Sequence, residues 1–173
     1  ALKIPRWDLQ KFRKVSQEIS TEMKSVGEVM ALGRNFPEVI QKAVRMLAIG
    51  SEGLLDSPVE FKKTEEITQN IKTPSPRRIF AIAEGLYQKL YSVEDIYEMT
   101  KIDRSFLEQI KRIIDMAHEL EQTGENITKA QLQNSKKLGF SDPEIARLTG
   151  MTFNDVRNLR REHGIMPVTK QID

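Results

Sequence analysis

From residue 75 onward the chain repeats one local pattern, a small polar residue followed by apolar side chains recurring every three or four positions. Ser75, Ser92, Asp103 and Thr128 each precede such a run, and each can cap a helix by accepting a backbone N–H of its first turn. Pro76 comes after Ser75 at the first helical position, where its missing N–H does no harm. Ile79, Ile82, Ala83, Leu86 and Leu90 mark one face of the helix so begun. In the longest run Phe106, Leu107, Ile110, Ile113, Ile114, Ala117 and Leu120 form a face wide enough for a central packing element. No strand is expected after residue 59. A chain of this kind buries its stripes only by packing helix on helix, which predicts a mainly α fold, an irregular orthogonal helical bundle.

The first 50 residues have a different texture. IPRWDL (4–9) and SVGEVMALG (25–33) are short, mostly apolar stretches that read as strands. Two strands alone are marginal in water, so residues 1–34 are expected to be the cut end of a larger α/β unit. The chain opens on Ala1 rather than methionine, as expected of a piece of something longer. Asn35 then caps a helix striped by Val39, Ile40, Ala43, Val44 and Leu47, which Gly50 ends and which would cover the strands. Residues 51–58 and 73–78 read as connections. Between them FKKTEEITQNI is a weakly amphipathic helix expected at the surface. Its apolar residues Phe61, Ile67 and Ile71 are the candidate self-association face, because apolar groups on an otherwise polar, exposed helix mark a contact site.

A shift of 49 residues aligns Tyr91-Ser92 with Phe140-Ser141, Ile96 with Ile145, Thr100 with Thr149, Ile102 with Met151, Leu107 with Val156 and Ile110 with Leu159. A short helix, a turn and a longer helix are therefore expected twice. The second copy, residues 141–164, reads as a helix-turn-helix. Ala146 sits where the first helix must be small, Gly150 falls at the turn, and Val156 and Leu159 pack the second helix back. A nucleic-acid-binding module is the alternative function this pattern raises. Charge weighs against it: 27 Lys+Arg stand against 25 Asp+Glu, a net +2, and Asp142, Glu144, Asp155 and Glu162 lie among Arg157, Arg160 and Arg161. Without a basic surface there is little counterion release to drive binding to phosphates.

Catalytic constellations are missing from the pattern. There is no cysteine, which removes disulfides and thiolate chemistry and fits a reducing compartment, so a cytoplasmic location is expected. His118 and His163 lie far apart without a spaced carboxylate, and GEVMALG lacks the Lys-Ser/Thr of a phosphate loop. Met30, Met99, Met116 and Met151 are expected to fill core gaps. No apolar run approaches the roughly 20 residues of a membrane span. No catalytic, cofactor-binding or metal-ligating residue is assigned, and the expected partners include neither nucleic acid nor membrane.

IPRWDLQKF, MKSVGEVMALGR (23–34), QKAVRML (41–47), RRIFAIAEGL (77–86), MTKIDRSFLEQI (99–110), KKLGFSDPEIARLTG (136–150) and VRNLRREHGIMPVTKQID (156–173) resemble the large, synthetase subunit of carbamoyl phosphate synthase. The resemblance covers essentially the whole chain, with departures at Ser105 and Thr169, where that family often carries aromatics. It implies that residues 1–50 end the first, carboxyphosphate-forming ATP-grasp domain and that residues 51–173 are the helical oligomerisation domain. The short β segment would then come from a truncated ATP-grasp domain. The resemblance also implies a parent enzyme making carbamoyl phosphate from bicarbonate, glutamine-derived ammonia and two ATP with magnesium. The expected partners are the other domains of the same subunit, a glutaminase, and further copies through the helical domain. This fragment alone is expected to be inactive and to hold no cofactor. Glu28 and Met30, expected to face inward on the VGEVM strand, are the candidate lining of an internal carbamate route.

Overall fold

The computed structural model of the chain describes residues 1–7, 14–16, 18–24 and 27–169. Strand β1 (Leu2–Arg6) pairs antiparallel with β2 (Gly27–Ala31), with Leu2 opposite Ala31 and Ile4 opposite Val29. Within the expected strand at 4–9, residues 8 and 9 lie outside the described residues. The strand period places Val29 and Ala31 on one face and Glu28 and Met30 on the other. Helix α1 (Phe36–Met46) covers the first face, and Ala31, Val39 and Ala43 are buried together with Leu2 and Ile4 against them. Asn35 caps α1 as expected, its Oδ1 accepting from Glu38 N at 2.9 Å.

The other elements of the described chain are helices: α2 (Thr64–Lys72), α3 (Arg78–Tyr87), α4 (Val93–Thr100), α5 (Arg104–Thr123), a 3-10 turn (Gly124–Asn126), α6 (Lys129–Lys137), α7 (Asp142–Thr149) and α8 (Phe153–Glu162). The mainly α expectation holds. Helix α5 packs against α1, α3, α4 and α7, burying Leu107, Ile110, Ile113, Ile114, Met116, Ala117 and Leu120. Helix α3 is buried nearly all round, with Phe80, Ala81, Ile82, Ala83, Gly85 and Leu86 inside. Ile40 and Val44 of α1 join this same large core. One helix therefore buries one stripe against the sheet and another against the bundle.

Several expectations are corrected. Helix α2 is not a loose surface helix: Ile67 is 1% and Ile71 0% exposed, both seated in the main core. Two isoleucines one turn apart make too narrow a stripe to stand out in a polar sequence. Burying the pair nevertheless contributes about 3–6 kcal/mol, enough to seat a nine-residue helix. Phe61 lies before α2, partly buried against that core, with the guanidinium of Arg77 4.8 Å from its ring centre. Phe106, expected in the wide face of α5, is 50% exposed. It sits at the rim of the stripe in the first turn, where its ring meets that of Phe36, 5.3 Å away. Met30 is 61% exposed, because the strand turns it away from α1, whereas Met116 is buried and Met99 and Met151 are partly buried against the core. Ser75 does not cap α3 directly: its hydroxyl accepts from Arg77 N within a turn, and the helix begins at Arg78.

The internal repeat is realised in three dimensions. In the first copy Ser92 Oγ accepts from Asp95 N, Thr100 Oγ1 donates to the Ile96 carbonyl, Lys101 adopts left-handed φ 56°, and Asp103 caps α5. In the second Ser141 Oγ accepts from Glu144 N, Thr149 Oγ1 donates to the Ile145 carbonyl, Gly150 adopts φ 76°, and Thr152 caps α8. The matched pairs Ile96 and Ile145, and Leu107 and Val156, are all fully buried. Replacing Ile145 with alanine is expected to lower stability by about 2–5 kcal/mol. Gly150→Ala meets open space, so only its backbone cost, about 1–2 kcal/mol, is expected. Urea unfolding of the two variants checks both values.

Candidate functional site

The densest polar constellation lies where α1 meets the bundle. Gln41 of α1 and Glu144 of α7 are both completely buried. Gln41 Oε1 accepts from Leu54 N at 2.8 Å, and its Nε2 donates to Glu144 Oε2 at 3.4 Å. Arg45, one turn further along α1, reaches past this pair and donates from Nη1 to the carbonyls of Glu52 (3.0 Å) and Gly139 (2.8 Å). Asn35 Nδ2 donates to the Lys137 carbonyl, closing the far end of α1 on the α6–α7 corner. Gly53 faces the pair so tightly that a Cβ there would stand 2.4 and 2.6 Å from the two Glu144 oxygens. Only glycine fits.

Burial pushes the Glu144 carboxyl up to about 7, although Arg45 and Arg147 pull it down. Its Oε1 has no hydrogen-bond partner. Sequence reasoning missed this site, since Gln41 and Glu144 each occupy an unremarkable polar position, and only the chain's path across 103 residues brings them together.

A second polar cluster decides the helix-turn-helix question. Asp142, buried at the start of α7, receives Lys136 Nζ on Oδ1 and Arg160 Nη2 on Oδ2, both at 2.8 Å. Lys136 also donates to the Phe140 carbonyl, and burial lowers its pKa while Asp142 opposes the shift. The middle arginine of α8 is thus turned inward as a tie between α6, α7 and α8. Arg157 and Arg161 stay exposed, but Asp155 is spent on the Thr152 cap and Glu162 remains among them. These contacts take Arg160 out of the outward-facing set, and the nucleic-acid alternative gains no support.

The other candidate residues are scattered. Glu28 lies on the open face of the sheet, paired with Lys3 Nζ at 2.7 Å, and Met30 shares that face. Both point away from α1, onto the other face of the sheet. Ile67 and Ile71 are committed to the chain's own core. His118 stacks on Tyr87 at 4.9 Å, and its Nε2–H donates to the Tyr87 carbonyl, so it serves an α3–α5 contact. Burial and Glu121 push the Tyr87 hydroxyl up to about 12. No group of three His, Asp or Glu among the described residues could hold a metal ion, and no described helix is long and apolar enough to cross a membrane.

Removing one partner of a buried ion pair strands the others. Asp142→Ala is therefore expected to cost about 3 kcal/mol in chemical denaturation, far more than Arg157→Ala on the exposed face, expected within about 0.5 kcal/mol.

The helices just described coincide with a family model. The carbamoyl-phosphate synthetase large chain, oligomerisation domain, matches residues 28–164. The chain is 43% identical over 185 residues to the N-terminal section of the carbamoyl phosphate synthase large chain of Methanopyrus kandleri. It is 41% identical over 174 residues to the multifunctional protein URA2 of Saccharomyces cerevisiae, and 41% over 172 residues to the arginine-specific large chain of Cutaneotrichosporon cutaneum. Each alignment takes in 99% of this chain but only 33%, 8% and 14% of the respective relative. The chain thus spans a third or less of the curated relatives it matches. With most of its length matched, and with the helical architecture built around α3 and α5, this chain belongs to the oligomerisation-domain family of carbamoyl-phosphate synthetase large chains.

Proposed function

We propose that this chain is a non-catalytic connecting and assembly module of a carbamoyl phosphate synthase large chain. The observation that carries the proposal is the double burial of α1: Val39 and Ala43 bury against the sheet, and Ile40 and Val44 bury in the helical core. A helix held on both sides transmits position from one unit to the next without a hinge. In this reading residues 1–50 are the end of an ATP-grasp unit, and residues 51–173 are the helical domain that spaces it from the second half of the parent enzyme. The two-stranded sheet supports this, since an antiparallel pair with an exposed face is too small to be a unit of its own.

The parent would make carbamoyl phosphate from bicarbonate, glutamine-derived ammonia and two ATP with magnesium, in the cytoplasm, with a glutaminase as partner. This fragment supplies geometry to that reaction. Glu28 and Met30 remain the proposed contribution to a carbamate route. Their support is a shared open face, where a neighbouring layer of the larger enzyme would lie against them. Self-association through the helical domain is proposed from the family's description as an oligomerisation domain. With Ile67 and Ile71 inside, α2 can offer a partner only its polar outer face and the partly buried Phe61.

Sedimentation of the chain over a concentration series is expected to show reversible self-association, and a strict monomer at the highest concentration overturns the assembly role. Titration with duplex DNA at low salt is expected to give no binding. A steep loss of binding with added salt would instead restore the nucleic-acid reading.

A further inference from the structure

The seat of α1 on the bundle is sealed from water and held by groups of unequal satisfaction. Gln41 is well served, with one full-strength bond from the Leu54 amide. Glu144 is not: Oε2 receives a long contact from Gln41 Nε2, the Ser141 backbone N–H gives the carboxyl some support, and Oε1 has no hydrogen-bond partner. An ionised carboxylate needs several donors when it leaves water, and the neutral acid needs fewer. The loop backbone at Gly53 leaves no room for a side chain against either oxygen.

The charges facing the pair from each neighbouring element are few. From α1 comes Arg45, whose Nη1 is directed at the carbonyls of Glu52 and Gly139. From the loop come Glu52 and Asp56. From α7 itself comes Arg147, 3.9 Å from Asp56 and 3.4 Å from the Leu55 carbonyl. Burial opposes ionisation of Glu144 and outweighs the two arginines and the Ser141 backbone N–H that favour it, with Asp56 adding to the opposition.

We propose that the buried seat of Glu144 beside Gln41 is a protonation-controlled joint, closed when Glu144 is the neutral acid and loosened when a charge must be held there. The two elements it joins to α1 are the loop of residues 51–56 and the α6–α7 corner. Because α1 is shared with the sheet, ionisation at this one carboxyl loosens the coupling between the N-terminal strands and the helical bundle. This inference rests on the chain's own packing and is independent of the assembly role. A monomer in sedimentation leaves it standing.

The direction comes from linkage. The folded-state carboxyl titrates near 7, above the ordinary 4.5. The stability it contributes is therefore fully present below pH 4.5 and lost as pH rises toward 7 and just beyond. Between pH 5 and pH 8 the unfolding equilibrium constant of the wild-type chain should increase by a factor on the order of tens relative to Glu144→Gln, which keeps the shape and removes the charge. His118 and His163 are present in both proteins, so the difference between the two profiles isolates Glu144. Amide exchange at α1 should speed up over the same range in the wild type alone. Carbon-13 NMR of the glutamate side chains in the wild type gives a second readout that survives even if the variant does not fold. One buried glutamate carboxyl should titrate near neutrality. Parallel unfolding profiles, or a Glu144 carboxyl titrating near 4.5, overturn the proposal.

Discussion

Helices α1, α3, α4 and α7 are arranged around α5. The helix has 20 residues and therefore runs about 30 Å, the width of a small domain, so four other helices can rest on it at different heights. Its six large buried side chains contribute roughly 10–20 kcal/mol as an upper bound, comparable to the whole net stability of a domain. No surface ion pair among the described residues approaches that figure. The bidentate Arg104–Glu94 contact and the Lys111–Asp115 pair lie on the exposed side of the same helix, where water screens both and leaves them little weight.

The helix-turn-helix at 141–164 shows how a recognition motif can be an answer to a packing problem. Both copies of the repeat need a short helix to stop abruptly and a second to begin a few residues later. Both solve it with a threonine bonded back to the helix and a left-handed residue after it. Lys101 serves at that position in one copy and Gly150 in the other, so the backbone conformation is demanded by the packing and not by a particular residue. What separates a reader of DNA from a strut is then the outer face. Here the central arginine of α8 is drawn inward by Asp142, which leaves α8 as a strut.

Helix starts were legible because a cap is local: Asn35, Ser92, Asp103, Thr128 and Ser141 each act within three residues of themselves. The repeat was legible for the same reason, since its signals are a cap, a turn and inward apolar positions. Burial of α2 was not legible. Its two isoleucines say little until α3 is known to approach so closely that a Cβ at Gly85 would stand 3.2 Å from Ile71 Cδ1. Which face of β2 meets α1 was not legible either, because a strand pattern gives the alternation of Glu28 and Met30 with Val29 and Ala31 but not which pair faces the helix. Least legible was the Gln41–Glu144 seat, whose partners lie on distant helices and whose residue types are ordinary on a solvated surface.

The polar character of that seat has a physical reason. An apolar stripe tolerates sliding, because one leucine packs nearly as well as another a fraction of a turn away. The hydrogen bonds from Leu54 N to Gln41, and from Arg45 to Glu52 and Gly139, do not tolerate it, because a donor moved out of line by an ångström is left buried and unpaired. Helix α1 meets the sheet mainly through small and branched apolar groups and meets the bundle corner through these directional bonds. The apolar contacts supply adhesion, and the polar ones set register. A connector that had only the first would hold its two sides together without fixing how they face each other.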